Sequence, residues 1–345
     1  MPAYRQQKPG PPPGMRFTPV ALWGGLRGTA RLGGVSFRER LRITLDYARQ
    51  NGKRGITDSE YFCQYHFYRL TREERESFLT IAEAQHITWP LSQEIRDVFW
   101  HKDRFLTAFS AFARRDWLKI EPGALERFRT FCKKHPRLIQ KPLASTGGMG
   151  IRILDEEDTQ APDALFSRLL KQDCIVEEIL RGDRRLSTFH PASLNTVRVV
   201  TLYNGTHFEV FGAVVRFGRS GKKMDNVSSG GIFAALDPNT GIILTDAMDM
   251  AGLRYERHPD TGKAFRGFQV PRWREVLDTV RRAVDVLPNI RIAGWDAALL
   301  EGGGTALVEG NHMPDVDLMQ QPLEKGIRKE FEEKVRALFG ERFLA

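Results

Sequence analysis

Apolar positions along this chain follow two different periods. From Ser36 to about Lys134 they recur at helical spacing, as in Leu41, Leu45 and Ala48. Ser36 stands three residues before Glu39, Thr57 before Glu60 and Thr71 before Glu74. That spacing is a capping box, in which hydroxyl and carboxylate satisfy the first unpaired N–H groups of a helix reciprocally. With Pro90 and Pro122 as punctuation, the stretch predicts a bundle of about five helices. Upstream, Gly24, Gly25, Gly28, Gly33 and Gly34 make residues 17–34 an expected irregular segment. Residues 1–16 are rich in proline and glycine with little to bury, and are expected to form a disordered basic tail.

Past Pro136 the period falls to two. Leu138-Ile139-Gln140-Lys141 predicts a strand that enters the glycine loop Ser145–Gly150 and returns along Ile151–Leu154. A helix near 162–171 precedes an apolar strand, Cys174-Ile175-Val176, that ends at Glu177-Glu178. Two alternating strands between Leu194 and Phe217 meet at Asn204-Gly205, a strong hairpin signal. After a glycine- and serine-rich stretch (219–231) come short strands near 231–236 and 242–244, turning at Asn239-Thr240-Gly241. A helix over 272–286 leads to strands over about 290–300 and 305–309, joined at Gly302-Gly303-Gly304, and a last amphipathic helix spans about 323–339. The fold class is therefore α+β, rich in antiparallel hairpins.

Composition narrows the class. The chain has 345 residues, enough for two or three lobes, and 41% of them are hydrophobic, which is ordinary for a folded protein. The formal net charge of +9 favours anionic partners without choosing among them. Cys63, Cys132 and Cys174 are far apart and form no CxxC pair, which argues against a disulfide framework and a cysteine zinc site. No apolar run is long enough to span a membrane, and proline-rich sequence stands where a signal peptide needs apolar residues. The expected location is the cytoplasm.

Several short stretches carry chemistry. In Trp295–Leu300 and Leu307–Asn311, strand alternation puts Glu309 and Asn311 on one face, and the glycine turn makes the two strands antiparallel neighbours. Asp296 can then lie beside Glu309. Two carboxylates and an amide oxygen form a hard oxygen set suited to Mg²⁺. A solvated strand face is the bland alternative. Lys141, before the glycine loop, offers a point charge for phosphate, and the loop's backbone N–H groups can wrap phosphate oxygens. A plain hairpin turn would look similar. Glu177-Glu178-Ile179-Leu180 leaves a strand end whose backbone can read an adenine edge, or is merely a solvated acid pair. In Ser193–Val199, Asn195, Val197 and Val199 share one face, while Leu194, Thr196 and Arg198 share the other. An arginine on an apolar strand is expensive unless paired, so Arg198 binds phosphate or carboxylate, or forms a structural ion pair. Asp225 and Asn226, in Met224–Gly231, suit a substrate-binding loop as well as a surface loop.

These stretches, in this order, resemble the ATP-grasp superfamily, and within it the sugar-transfer-associated ATP-grasp family. The resemblance runs over roughly residues 100–322 and rests on Lys141 before its glycine loop, VEEIL, SLNTVRV, DNVSSGG, GWDAALL and VEGN. It implies an ATP-grasp fold, two α+β subdomains clamping a nucleotide, here preceded by a helical N-terminal region. The domains expected are a tail (1–16), a mainly helical region (17–134) whose last helix leads into the fold from about 100, a lid subdomain (135–180), a catalytic subdomain (181–322) and a C-terminal helix (323–345). It further implies ATP bound by Lys102, Lys141, Ser145, Thr146, Gly147 and Gly148. Glu177, Glu178, Ile179 and Leu180 would form the adenine hinge mainly through backbone atoms, with Asp183 near the ribose. Asp296, Glu309 and Asn311 match the family's metal ligands for Mg²⁺, with Mn²⁺ as a substitute. Lys141 and Arg198 would act on the transferred phosphate, and Asn195, Arg198, Asp225 and Asn226 would bind substrate. Many relatives begin with a βαβ domain, which the helical N-terminal region here replaces, so the acceptor site does not carry over.

The expected function is an ADP-forming ligase that activates a carboxylate as an acyl phosphate for attack by an amine. Its partners would be small-molecule or glycan-linked acids and amines, with no membrane span and no nucleic acid. One alternative keeps the fold but phosphorylates a hydroxyl, as a kinase. A second is a non-catalytic anion-binding protein. The sequence does not reveal the oligomeric state.

Overall fold

A computed structural model describes residues 19–145, 147–220 and 230–344. The expected tail (1–16) lies outside them. Of the glycine-rich segment before Ser36, Gly33 and Gly34 lie in a turn, but Pro19–Ala30 is a helix, α1, and not an irregular stretch. Its glycines are a packing surface. A Cβ on Gly25 would stand 2.9 Å from Thr44, and one on Gly28 would stand 2.2 Å from the Phe62 ring. They let α1 lie close against α2 (Phe37–Arg54), a gain that outweighs glycine's poor helix propensity. Ser36 caps α2, accepting from Glu39 N at 3.3 Å. Thr71 opens α3 (Arg72–Ser77) with the predicted capping box, and Thr80 with Glu83 opens α4 (Ile81–Ser92) in the same way. Thr57 and Glu60 make the predicted reciprocal pair, with Glu60 N donating to Thr57 Oγ1 at 3.2 Å. Glu60 is fully buried, accepts from Thr57 N at 2.8 Å and from Ile81 N at 2.7 Å, and begins a single π-helical turn. Three short helices follow: α5 (Arg96–Trp100), α6 (Lys102–Ala108) and α7 (Ser110–Ala113).

The first sheet has four antiparallel strands: β1 (Trp117–Lys119), β2 (Leu138–Pro142), β3 (Arg152–Leu154) and β4 (Cys174–Glu178), in the order β1-β4-β2-β3. β1 lies inside the region expected to be helical. Three residues give too little alternation to read as a strand, and only its pairing with β4 reveals it. Strand pairing therefore crosses the boundary expected at residue 134. Helices α8 (Leu125–Lys134), α9 (Glu156–Gln160) and α10 (Pro162–Leu169) accompany this sheet, with Phe128, Cys132, Phe166 and Leu169 packing on Leu138, Cys174 and Val176.

The second sheet has seven antiparallel strands: β5 (Thr196–Tyr203), β6 (Phe208–Phe217), β7 (Ile232–Leu236), β8 (Ala247–Met248), β9 (Arg254–Tyr255), β10 (Ile292–Leu299) and β11 (Thr305–Asn311). Their order is β11-β10-β5-β6-β7-β8-β9. The strand expected near 242–244 reduces to isolated bridges at Ile242 and Ile243. A short helix, α11 (Arg184–Ser187), precedes β5. Side-chain alternation divides the core between the two faces. Val197, Val199, Trp295, Ala297 and Leu299 face α12 (Trp273–Ala283), while Val200, Leu202, Val214 and Ile292 face α4 and α13 (Arg328–Phe339). α13 thus belongs to the body of the second sheet; its Phe331 ring lies 5.0 Å from that of Phe211. Buried Gln320 ties the N-terminal helices to this body. Its amide oxygen accepts from Leu79 N at 3.0 Å and its amide nitrogen donates to Tyr65 Oη at 2.8 Å.

The edge strand β11 meets α5 and α6 through Gly310, where a Cβ would come within 2.5 Å of Phe99 and 2.6 Å of Phe105. These rings pack on each other and lead on to Phe109 and Trp295. Gly310→Ala should cost about 1–3 kcal/mol through overpacking. Urea unfolding measures it, and an unchanged midpoint would show that the ring pair yields freely.

Candidate active site

A cleft opens between α5 and α6, the start of the glycine loop, the end of β4 and the outer edge of β11. Its polar lining is Lys102, Ser145, Glu177, Glu309, Asn311 and His312. Five of these come from stretches that the sequence singled out, and they arrive from both sheets.

At the end formed by the four-stranded sheet, Glu177 is the centre of a buried ion triad. Its carboxylate accepts from Lys141 Nζ at 2.7 Å and from Arg115 Nε at 2.7 Å. Burial pushes the Glu177 carboxyl up, but Arg115 and Lys141 outweigh it and hold the group at about 2. Lys141 shifts below the ordinary lysine range because burial disfavours its ammonium and Arg115 repels it, with Glu177 opposing. Arg115 also donates to the backbone oxygens of Leu307 and Val308 at 2.9 Å each, clamping the two sheets together at β4 and β11.

This arrangement corrects the expectation for Glu177. β4 is a central strand, paired with β1 on one side and β2 on the other, so the Glu177 backbone is part of the ladder. The group it presents to the cleft is its side chain. Glu178 N donates to Asp116 O at 2.9 Å and its carboxylate accepts from Asp116 N at 3.1 Å, so it too is committed. Only Ile179 and Leu180 lie beyond the strand's end. Lys102 Nζ donates to Ser145 O at 3.0 Å and Oγ at 3.3 Å, while Lys102 N bonds to Leu143 O at 2.9 Å. Lys102 and the start of the glycine loop are therefore joined. Gly147, Gly148 and Gly150 have φ of 67°, 73° and 75°, a conformation that favours glycine over residues bearing a Cβ. Thr146 lies outside the described residues.

At the end formed by the seven-stranded sheet, register makes the site. Asp296 stands opposite Glu309 on β11 and opposite Arg198 on β5, and Gly294 stands opposite Asn311. Directly opposed residues share a face, so Arg198, Asp296 and Glu309 form a row across three strands. Arg198 grips Asp296 with two bonds, Nε to Oδ1 at 2.8 Å and Nη2 to Oδ2 at 2.9 Å, and holds Asp315 at 2.7 Å through Nη1. Arg216 adds a third contact, 2.9 Å to Asp296 Oδ2, and bonds to Thr196 Oγ1 at 2.7 Å. Burial raises the Asp296 carboxyl, but the two guanidinium groups win and hold it far below the usual range.

The donor chemistry fits a hard divalent cation. Half-buried Glu309 and buried Asn311 line the cleft side by side with oxygen ligands. Asp296 is more constrained than the sequence implied, because both oxygens already accept hydrogen bonds. Oδ1 takes only the one from Arg198, and a carboxylate oxygen can accept a second partner.

Lys141, Arg198 and Asp296 are buried and outside the cleft lining, and two further expected site residues are engaged elsewhere. Asn195 faces away from Arg198, as alternation requires. Its amide donates to Leu186 O at 3.0 Å and His190 O at 3.1 Å and its oxygen accepts from Ser193 Oγ at 3.0 Å, so it braces the segment before β5. Asp183 caps α11, accepting from Arg185 N at 2.9 Å, and pairs with Arg272 at 3.3 Å; it is not part of the cleft lining. Asp225 and Asn226 lie outside the described residues. The sequence reading missed Arg115, Arg216 and Asp315. Arg216 was detectable as a second arginine on an apolar strand, opposite Thr196. Asp315 follows the VEGN stretch and takes a left-handed backbone (φ 52°), which aspartate tolerates better than most residues. Arg115 sits in a turn with no periodic signal.

No curated protein matches the chain. Among solved structures, the ATP-grasp ligase PsnB complexed with minimal precursor, Mg and ADP is 16% identical at a TM-score of 0.40, covering 68% of this chain and 55% of that one. N5-carboxyaminoimidazole synthase from Aspergillus clavatus, in complex with ADP and 5-aminoimidazole ribonucleotide, is 9% identical at 0.38, covering 63% and 45%. D-alanyl-alanine synthetase A from Vibrio cholerae O1 biovar eltor is 12% identical at 0.43, covering 73% and 67%. The chain thus spans about half the length of the first two, and the likeness is distant. The family model described as sugar-transfer associated ATP-grasp matches residues 119–336. That span runs from the end of β1 through most of α13 and holds nearly all of both sheets, so the chain belongs to the sugar-transfer associated ATP-grasp family.

Proposed function

We propose that this protein is an ATP- and Mg²⁺-dependent, ADP-forming ligase that joins a carboxylic acid to an amine. The observation that carries the reading is the convergence on one cleft of Lys102 and Ser145 at one end with Glu309 and Asn311 at the other. Cations and backbone donors suit a polyphosphate, and hard oxygens suit the cation that accompanies it. Lys102 and the glycine loop hold the outer phosphates, with Lys141 behind Glu177. Ile179 and Leu180, beyond the strand end, offer backbone atoms to the adenine. Glu309 and Asn311 would hold Mg²⁺, with Asp296 available through Oδ1. Bound there, Mg²⁺ would neutralise phosphate charge.

In the proposed reaction a substrate carboxylate oxygen attacks the γ-phosphorus, the bond to the β-phosphate oxygen breaks, and ADP leaves. The amine then attacks the acyl carbon, phosphate departs with the bonding electrons, and the amine loses a proton. Arg198, fixed by Asp296 and Asp315, supplies immobile positive charge beside Glu309. Such a chemistry rests on positioning and charge neutralisation, and needs no nucleophilic serine or cysteine. The family's description makes acids and amines on sugars or glycans the first substrates to test.

Glu309→Ala and Asn311→Ala should each lower Mg²⁺-dependent ADP release by about a hundredfold or more, with melting temperature little changed. Full turnover in both variants would place the metal elsewhere. Asp296→Asn should instead reduce stability by about 3–5 kcal/mol as well as activity, because Arg198 and Arg216 lose their common counter-charge. A denaturant titration separates this from the Glu309 result.

The pH dependence follows from Lys141. A lysine with a lowered pKa loses its charge as pH rises through that lowered value. Nucleotide affinity should therefore fall on the alkaline side before the ordinary lysine value of 10.5 is reached. Lys141→Arg, which keeps its charge, should move that fall upward. An alkaline limb that ignores this substitution would remove Lys141 from the phosphate site. Hydroxylamine added during turnover should trap a hydroxamate. A stable phosphomonoester product would make the protein a kinase and contradict the ligase reading.

A further inference from the structure

The positive charge of this protein is concentrated in one segment. Residues 1–54 contain 11 Lys plus Arg and 2 Asp plus Glu, while residues 55–345 contain 41 of each. The whole formal net charge of +9 therefore belongs to the first 54 residues. Six of the twelve exposed large apolar side chains among the described residues lie in the same segment. On α1, Val20, Trp23 and Leu26 are 78%, 59% and 51% exposed; on α2, Phe37, Leu41 and Leu45 are 81%, 49% and 47% exposed.

Their arrangement is regular. α1 buries its glycine face against α2, so Val20, Trp23 and Leu26, on the opposite side, face outward. A helix that is apolar all round and carries one charge, Arg27, belongs in a buried setting, yet this one shows its outer face to solvent. On α2, Phe37, Leu41 and Leu45 recur every four residues and form one stripe. At 100° per residue Arg38, Arg42 and Arg49 fall along the flank of that stripe, whereas Ile43 and Tyr47 turn into the core. Glu39 and Asp46 fall on the far side of the arginines. The Arg27 guanidinium lies 5.9 Å from the Trp23 ring centroid. An apolar stripe bordered by arginines and tryptophan is what a lipid interface selects: apolar groups enter the acyl boundary while cations meet the headgroups.

We propose that the α1–α2 hairpin docks this protein on an anionic membrane surface, lying in the plane of the headgroups. No described helix is long and apolar enough to cross a membrane, so the contact is peripheral. A second copy of the chain fits the face poorly, because it would bring one positively charged segment against another.

Flotation of the full chain with vesicles tests this. Binding to phosphatidylcholine containing phosphatidylglycerol should exceed binding to phosphatidylcholine alone by about tenfold or more, and should weaken as salt rises. The double variant Trp23→Ser, Leu41→Ser should weaken vesicle binding by about tenfold. Arg38→Gln and Arg42→Gln should each weaken it by about fivefold. All these side chains are exposed, so melting temperature and ADP release in solution should match the unaltered protein. Absent or equal binding to the two vesicle types would overturn the proposal. So would equally tight binding to soluble polyglutamate that Trp23→Ser leaves untouched, since charge alone would then explain it. Self-association in analytical ultracentrifugation that Trp23→Ser abolishes would make the face a dimer contact and also overturn it.

Discussion

The buried carboxylate of Asp296 between Arg198 and Arg216 is the interaction on which the row of Arg198, Asp296 and Glu309 across three strands depends. Three strands would otherwise present an apolar face interrupted by isolated charges, each costing several kcal/mol to desolvate. Pairing makes those charges mutually tolerable and fixes their geometry: Arg198 closes two bonds on Asp296 and one on Asp315, and Arg216 closes a third on Asp296. Glu309, next in the row, faces an anchored positive charge rather than a bare carboxylate. The cluster thus accommodates two acids on adjacent strands.

The second dependence is mechanical. Glu177 draws Lys141 and Arg115 together, and Arg115 reaches across to the backbone of β11. One arginine therefore links the strand that carries Glu177 to the strand that carries Glu309 and Asn311. A change in spacing between the sheets would alter both ends of the cleft together. The Phe99 and Phe105 rings, wedged against Gly310, set the height of α5 and α6, and with it the place of Lys102.

Much of this was legible in the sequence where the information was local. Strand alternation gave the faces of Val197 and Arg198, and the glycine turn gave the antiparallel pairing that sets Asp296 opposite Glu309. Capping hydroxyls at Ser36 and Thr71 marked the starts of α2 and α3. What stayed hidden depends on contacts between distant residues. β1 is a strand only because β4 lies beside it. α1 is a helix because its glycines fit against Thr44 and Phe62. Glu177 acts through its side chain because both edges of its strand are paired. Asn195 resembled a site residue by proximity to Arg198, yet alternation sends it to the opposite face, where it caps a turn.

The proposed function rests on the cleft that joins Lys102 to Glu309 and Asn311. A crystal structure of the protein with ADP and Mg²⁺ tests it most directly. One cation is expected about 2.1 Å from oxygens of Glu309 and Asn311, with the phosphates reaching Lys102 and the glycine loop. A nucleotide bound elsewhere, or a cation that leaves Glu309 and Asn311 untouched, would contradict it.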